Sequence, residues 1–237
     1  MLVVRSRRRC IARFWLILPL FVGCASPVTW TDVISLHPAV RRKWSEDEQY
    51  APTFYAKREE LRAFRDSAAS MPPQRQDQLA FQLSELLRNE ENPLLRREAV
   101  LTLGYLATPN TEPALRRALS DGDIDVRAAA CRAWGRRGGE SAPAVLAEVL
   151  GSDQDVDVRL AAVSELGRFR GPTVNEALAI ALDDSDPALQ YQAVQTLREH
   201  GDVDYGNSIY AWREYLRGNT PAVPEGPSIV ERVRNWF

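Results

Sequence analysis

Ile124–Gly135 reads IDVRAAACRAWG and Val156–Gly167 reads VDVRLAAVSELG. Pro93–Gly104, PLLRREAVLTLG, aligns with both without a gap, and Pro187–Arg198, PALQYQAVQTLR, is a degenerate fourth copy. Ala99, Ala130, Ala162 and Ala193 fall in one column of this alignment. Leu103, Trp134, Leu166 and Leu197 fall in a second, and Arg96, Arg127, Arg159 and Gln190 in a third. Recurrence at a period of about 31 residues marks a repeat architecture, in which no unit buries its apolar face alone. Within each copy the apolar residues are helically spaced, as Val158, Ala162, Val163 and Leu166 are. The closing glycines, Gly104, Gly135 and Gly167, suit a left-handed position just past a helix end.

A second helix follows each of these. Its cores are EPALRRAL (Glu112–Leu119), APAVLAEVL (Ala142–Leu150), GPTVNEALAIAL (Gly171–Leu182) and NSIYAWREYL (Asn207–Leu216). Pro113, Pro143 and Pro172 stand near the starts, where a missing N–H costs nothing. Leu115, Leu146, Leu178 and Trp212 align, as do Leu119, Leu150, Leu182 and Leu216. Upstream, Tyr55–Ala69 and Arg75–Leu87 read as two more helices without the repeat signature, separated by Met71-Pro72-Pro73. They are expected to form a capping pair at the start of the array.

An acid precedes the arginine column by six residues in every copy: Glu90 before Arg96, Asp121 before Arg127, Asp153 before Arg159, and Asp184 before Gln190. Three in-phase copies of this pattern, with the second-helix leucines, resemble the HEAT-repeat family, and in particular the HEAT-like repeats also found in phycobilisome lyases. The resemblance covers Gln78–Arg217. It implies an all-α chain, a short right-handed α-solenoid of about five stacked helical hairpins over residues 55–217. In that family an Asp in the inter-helix turn and an Arg on the next helix form a hydrogen-bonded ladder. The matching positions here are Glu90, Arg96, Asp121, Arg127, Asp153, Arg159 and Asp184. Gln190 and Arg198 depart from the pattern, as terminal repeats commonly do.

The flanks are different. Met1–Arg13 carries Arg5, Arg7, Arg8, Arg9 and Arg13 without an acid, and Phe14–Val22 is apolar apart from Pro19. A basic stretch, a short apolar run and small residues describe a secretory signal over 1–23. The apolar run is shorter than the roughly 20 residues a membrane-spanning helix needs. Phe21-Val22-Gly23-Cys24 resembles a bacterial lipobox, which implies acylation of Cys24 and a membrane anchor. Ser26 then weakly favours the outer membrane over the inner one. Residues 24–54 are expected to be a tether. In 218–237, a Pro/Gly-rich linker precedes a short amphipathic helix, with Ile229, Val233 and Trp236 on one side.

Composition narrows the chemistry. The formal net charge is −2, with 30 basic and 32 acidic residues, and removal of the arginine-rich leader leaves the remainder more acidic. Binding to nucleic acid through gross charge is therefore not expected. There are two histidines and three cysteines. His37 lies beside Pro38 without evident ligands, and His200 is expected at a helix C-terminus, where positive charge is favourable. Cys131 aligns with Val100, Val163 and Val194, and reads as a buried thiol. The acidic runs Asp121–Asp125 and Asp153–Asp157 begin like calcium loops but lack the glutamate at the twelfth position. No phosphate loop, zinc cysteine pair or nucleophile elbow occurs. Neither a cofactor nor a metal is expected.

Together these readings point to a membrane-anchored lipoprotein of the cell envelope, with the solenoid serving as a non-catalytic scaffold for an unknown protein partner. Arg116, Arg117, Glu148, Glu176 and Arg213 on the second helices are the candidate contact residues. Two alternatives stay open. The resemblance also admits a bilin-lyase-like enzyme or enzyme-assisting subunit, and the array could meet lipid directly.

Overall fold

The computed structural model describes residues 53–200 and 203–223. The expected leader, Cys24, His37, the tether as far as residue 52 and the tail helix Ile229–Phe237 lie outside the described residues. Within them are ten α-helices, two short 3-10 turns and no strand. The helices are α1 (Phe54–Ser67), α2 (Pro73–Asn89), α3 (Pro93–Leu103), α4 (Glu112–Ala118) and α5 (Ile124–Arg137), followed by α6 (Ala142–Ser152), α7 (Val156–Leu166), α8 (Pro172–Asp183), α9 (Pro187–His200) and α10 (Ile209–Leu216). None of these helices is long and apolar enough to cross a membrane.

Local chemistry starts the helices where the sequence places them. Thr53, Asn92, Asp123, Asp155 and Ser208 are N-caps whose side chains accept a backbone N–H from the first turn. Each satisfies a donor that the helix cannot use itself. Proline opens α2, α3, α4, α6 and α8.

Consecutive helices pair into five hairpins, and the hairpins stack into an α-solenoid. The first helices α1, α3, α5, α7 and α9 pack side by side as one layer. In the second layer α6 packs on α8 and α8 on α10, whereas the short α4 scarcely meets α6. The aligned columns form the core. Ala99, Ala130, Ala162 and Ala193 are fully buried between neighbouring first helices, and Leu103, Trp134, Leu166 and Leu197 lie beneath them. Leu115, Leu146, Leu178 and Trp212 make the matching column of the second layer, each fully buried. At roughly 1.5–3 kcal/mol for a buried large apolar side chain, these columns supply most of the drive for stacking.

The closing glycines do not take the left-handed conformation expected of them. Gly104 and Gly167 are right-handed, with φ of −64° and −56°, and Gly135 lies inside α5. They are small because the next first helix runs against them. A Cβ on Gly104 would come within 2.7 Å of Ala133 Cα, and one on Gly135 within 2.7 Å of Glu165 Cβ. Helix α5 therefore continues past Gly135 and stops at Gly138, where φ is +71°.

The first hairpin, which lacks the repeat signature, is joined to the second by polar contacts. Buried Gln76 donates to the carbonyls of Ala68 and Met71 and accepts the Ala107 N–H at 2.7 Å. Asp77 accepts from Thr108 Oγ1 and from Asn110 Nδ2. Arg65 on α1 reaches the buried carboxylate of Glu98 on α3 at 3.3 Å.

Candidate functional site

The ladder residues come together along the turns between hairpins, but each arginine side chain pairs with the acid ahead of it. Arg96 donates Nε–H and Nη2–H to Asp121 at 2.9 and 2.7 Å. Arg127 makes the same two bonds to Asp153 at 2.9 and 3.2 Å. Arg159 continues the series with a single approach to Asp184 at 3.5 Å. The acid six residues behind supplies only its backbone carbonyl. Arg96, Arg127 and Arg159 donate Nη1–H to the carbonyls of Glu90, Asp121 and Asp153, at 3.0–3.2 Å. Gln190 keeps this backward bond, to Asp184 O at 2.7 Å. Its shorter amide carries no charge with which to extend the ladder forward. At the other end Lys57 on α1 approaches Glu90 at 3.5 Å, a contact that the sequence reading did not include.

Each acid also shapes its own turn. Asp121, Asp153 and Asp184 accept the N–H two residues on, from Asp123, Asp155 and Asp186. Burial alone would raise the carboxyl pKa of Asp121 and Asp153. The guanidinium bond and the accepted N–H more than offset it, and both acids end below the ordinary aspartate value. The arginines respond in kind: the hydrogen bond to its acid, reduced in part by burial, raises the pKa of Arg96 and of Arg127. Apart from Arg159 Nε, which is buried without a hydrogen bond, the ladder side chains thus bond to one another or to backbone, which is the arrangement of a structural spine. The acidic runs are largely used in the same way, with Asp123 and Asp155 as caps and Asp121 and Asp153 as rungs, while Asp125 and Asp157 are exposed in the first turns of α5 and α7.

The candidate contact residues divide. Arg117, Glu148 and Glu176 are exposed on α4, α6 and α8, and among the described residues no partner is seen for their side chains. Arg116 is exposed too, with its guanidinium 5.4 Å from the ring centre of Trp134. Arg116 and Glu148 face one crevice, between α4 and α6, and Arg117 lines another, between α2 and α4. Arg213 departs from the expectation of a free contact residue. It donates to Leu182 O at 2.7 Å and pairs with Asp183 at 2.6 Å, tying α10 to the end of α8. Two more arginines, Arg136 and Arg137 in the last turn of α5, are engaged as well. Arg137 pairs with Glu112 at 3.0 Å, and Arg136 stacks on Tyr105 at 4.6 Å.

The remaining reactive side chains are held in packing roles. His200 lies at the end of α9, and its Nε2 is 2.8 Å from Gly167 O. A carbonyl only accepts, so this nitrogen carries the proton. Cys131 is fully buried, and desolvation pushes its thiol up to about 12. Trp212 donates its indole N–H to Gly206 O. Among the described residues no group of three or more His, Cys, Asp or Glu side chains is placed to hold a metal ion.

The sequence model of a family described as HEAT repeats matches this chain twice, over residues 82–164 and 144–211. The matches begin in α2 and end in α10, and together they extend over more than half of the chain. Comparison with curated proteins gives no match.

Proposed function

Because the chain belongs to the HEAT-repeat family, we propose that it is a lipid-anchored protein of the bacterial cell envelope whose solenoid is a non-catalytic scaffold for another protein. The observation that carries this reading is the division of labour among the charged residues. Ladder and cap side chains are consumed internally, whereas Arg117, Glu148 and Glu176 project from successive second helices without a partner among the described residues. A row of free, opposite charges on a rigid surface gives specificity more than affinity. The Cys131 thiol is buried and the His200 ring is bonded to a backbone carbonyl. Repeat similarity transfers no activity by itself, and the scaffold reading asks for none.

Anchoring rests on the lipobox-like Phe21-Val22-Gly23-Cys24. A single acyl chain holds a protein only marginally, and two or more hold it firmly. Two measurements test the proposal. Palmitate labelling should be lost in Cys24→Ser, and that variant should leave the membrane fraction. Proteins that co-purify with the tagged chain should be lost when Glu148 and Glu176 are both changed to arginine. Retention of the same partners by that double variant would remove the second-helix row from the reading.

A further inference from the structure

The groove between α2 and α4 is open, of about 710 Å³, with Phe81, Leu87, Pro113 and Ala114 as its apolar wall. Phe81 is the unusual member, being 67% exposed. It stands between Leu79 and Leu83, which both point into the core, so the helix turns Phe81 outward. Four charged residues border the groove: Asp77, Glu85, Arg88 and Arg117. Three of them already have hydrogen-bond partners. Asp77 accepts from Thr108 and Asn110, and Glu85 pairs with Arg88. Asp77 keeps its negative charge, since both its donors are neutral, but Arg117 is the one charged side chain on the groove with no partner among the described residues. The bonds from Gln76 and Asp77 to the 107–110 loop fix the end of the groove before anything binds, which lowers the entropy lost on docking.

We infer that this groove receives a segment of a partner protein carrying an aromatic or large apolar side chain next to a carboxylate. The apolar group would cover Phe81 and Pro113, and the carboxylate would meet Arg117, whose planar fork pairs well with it. A basic segment would leave Arg117 facing like charge. The inference rests on the scaffold reading and adds to it a site and the chemistry of the partner.

The test is selection of a random displayed dodecapeptide library on the purified full chain. The expected consensus is an aromatic residue or leucine with Asp or Glu within three positions. A synthetic peptide of that consensus should bind roughly tenfold or more weakly to Arg117→Glu and to Phe81→Glu. Its affinity for Glu176→Arg, on the distant α8, should be unchanged. Unaltered helical circular dichroism shows that the variants are folded, and the milder Phe81→Ser replaces Phe81→Glu if they are not. A consensus without an acid, or binding indifferent to Arg117→Glu, overturns the inference. Peptides sensitive to Glu176→Arg instead would overturn the groove while leaving the scaffold reading in place. A dimer of the chain in sedimentation, dispersed by Phe81→Glu, would also overturn it, with a second copy as the occupant.

Discussion

Arg127 on α5 bonds twice to the carboxylate of Asp153, 26 residues ahead, and once to the carbonyl of Asp121, six residues behind. One side chain thereby fixes two successive inter-hairpin turns. Asp153 in turn lends its own carbonyl to Arg159. The spine is a chain of such shared residues, and it fixes the spacing at which second-helix side chains are displayed.

Removing a rung should loosen the array unequally along its length. Both members of the Arg127–Asp153 pair are largely buried, with side-chain exposures of 17% and 11%. Arg127→Ala leaves Asp153 without its guanidinium partner, and the loss should be about 3 kcal/mol, the low end of the cost of breaking a buried pair. Arg159→Ala likewise loses its bonds to backbone carbonyls, but its forward contact is a single 3.5 Å approach to Asp184 in place of two carboxylate bonds, and it should cost less. Urea unfolding of the two variants checks the order, and equal losses would contradict it.

The ladder also sets a pH dependence. The folded carboxyl pKa values of Asp121 and Asp153 are lowered. The stability they contribute is complete above the ordinary aspartate value of about 3.9, and it is lost as pH falls through the lowered folded value. Asp153→Asn should therefore be less stable than the parent chain at pH 7, and the gap should narrow below about pH 4. Urea midpoints measured between pH 7 and pH 3 read this directly.

The glycines separate close packing from backbone need. In Gly104→Ala the new methyl would meet the backbone of Ala133 at 2.7 Å, and the cost should be about 1–3 kcal/mol despite alanine's better helix propensity. At Gly122 a Cβ meets nothing within 4 Å, and Gly122→Ala should be neutral or slightly stabilising. Thermal midpoints of the two variants should diverge accordingly.

Cys131 should be silent while the protein is folded. Its thiol is fully buried and pushed up to about 12, so iodoacetamide at pH 8 should leave the Cys131 peptide unmodified until urea is added. Cys131→Val should change stability by less than about 1.5 kcal/mol, as volume-conserving core exchanges do. Rapid labelling of the native chain at this position would contradict the packing.

Much of the fold was legible because the columns speak for themselves. Ala99, Ala130, Ala162 and Ala193 repeat in phase, and all four are fully buried. The ladder residues were legible as well, but the direction of their pairing was not. A sequence shows that Asp121 precedes Arg127 by six, whereas the side-chain bond depends on how far apart the hairpins stack. Gly104 was misread because a glycine needed for φ and one needed for close approach look alike in sequence. Arg213 read as a free surface cation, since only the packed hairpins bring it to Leu182 and Asp183. Lys57 and the Arg65–Glu98 pair went unnoticed because the first hairpin lacks the repeat register. Nothing in the sequence of α2 sets Phe81 apart from the apolar residues around it, and only its 67% exposure does so.

A scaffold built this way meets another protein with its second-helix surface and not with its first-helix surface. Photo-crosslinking in cells tests it most directly, with a crosslinking amino acid placed singly at Glu148, Glu176 or, on the opposite layer, Asp125. Discrete, reproducible adducts are expected from Glu148 and Glu176 and none from Asp125. Adducts from Asp125 alone would contradict it, as would the absence of adducts at all three positions.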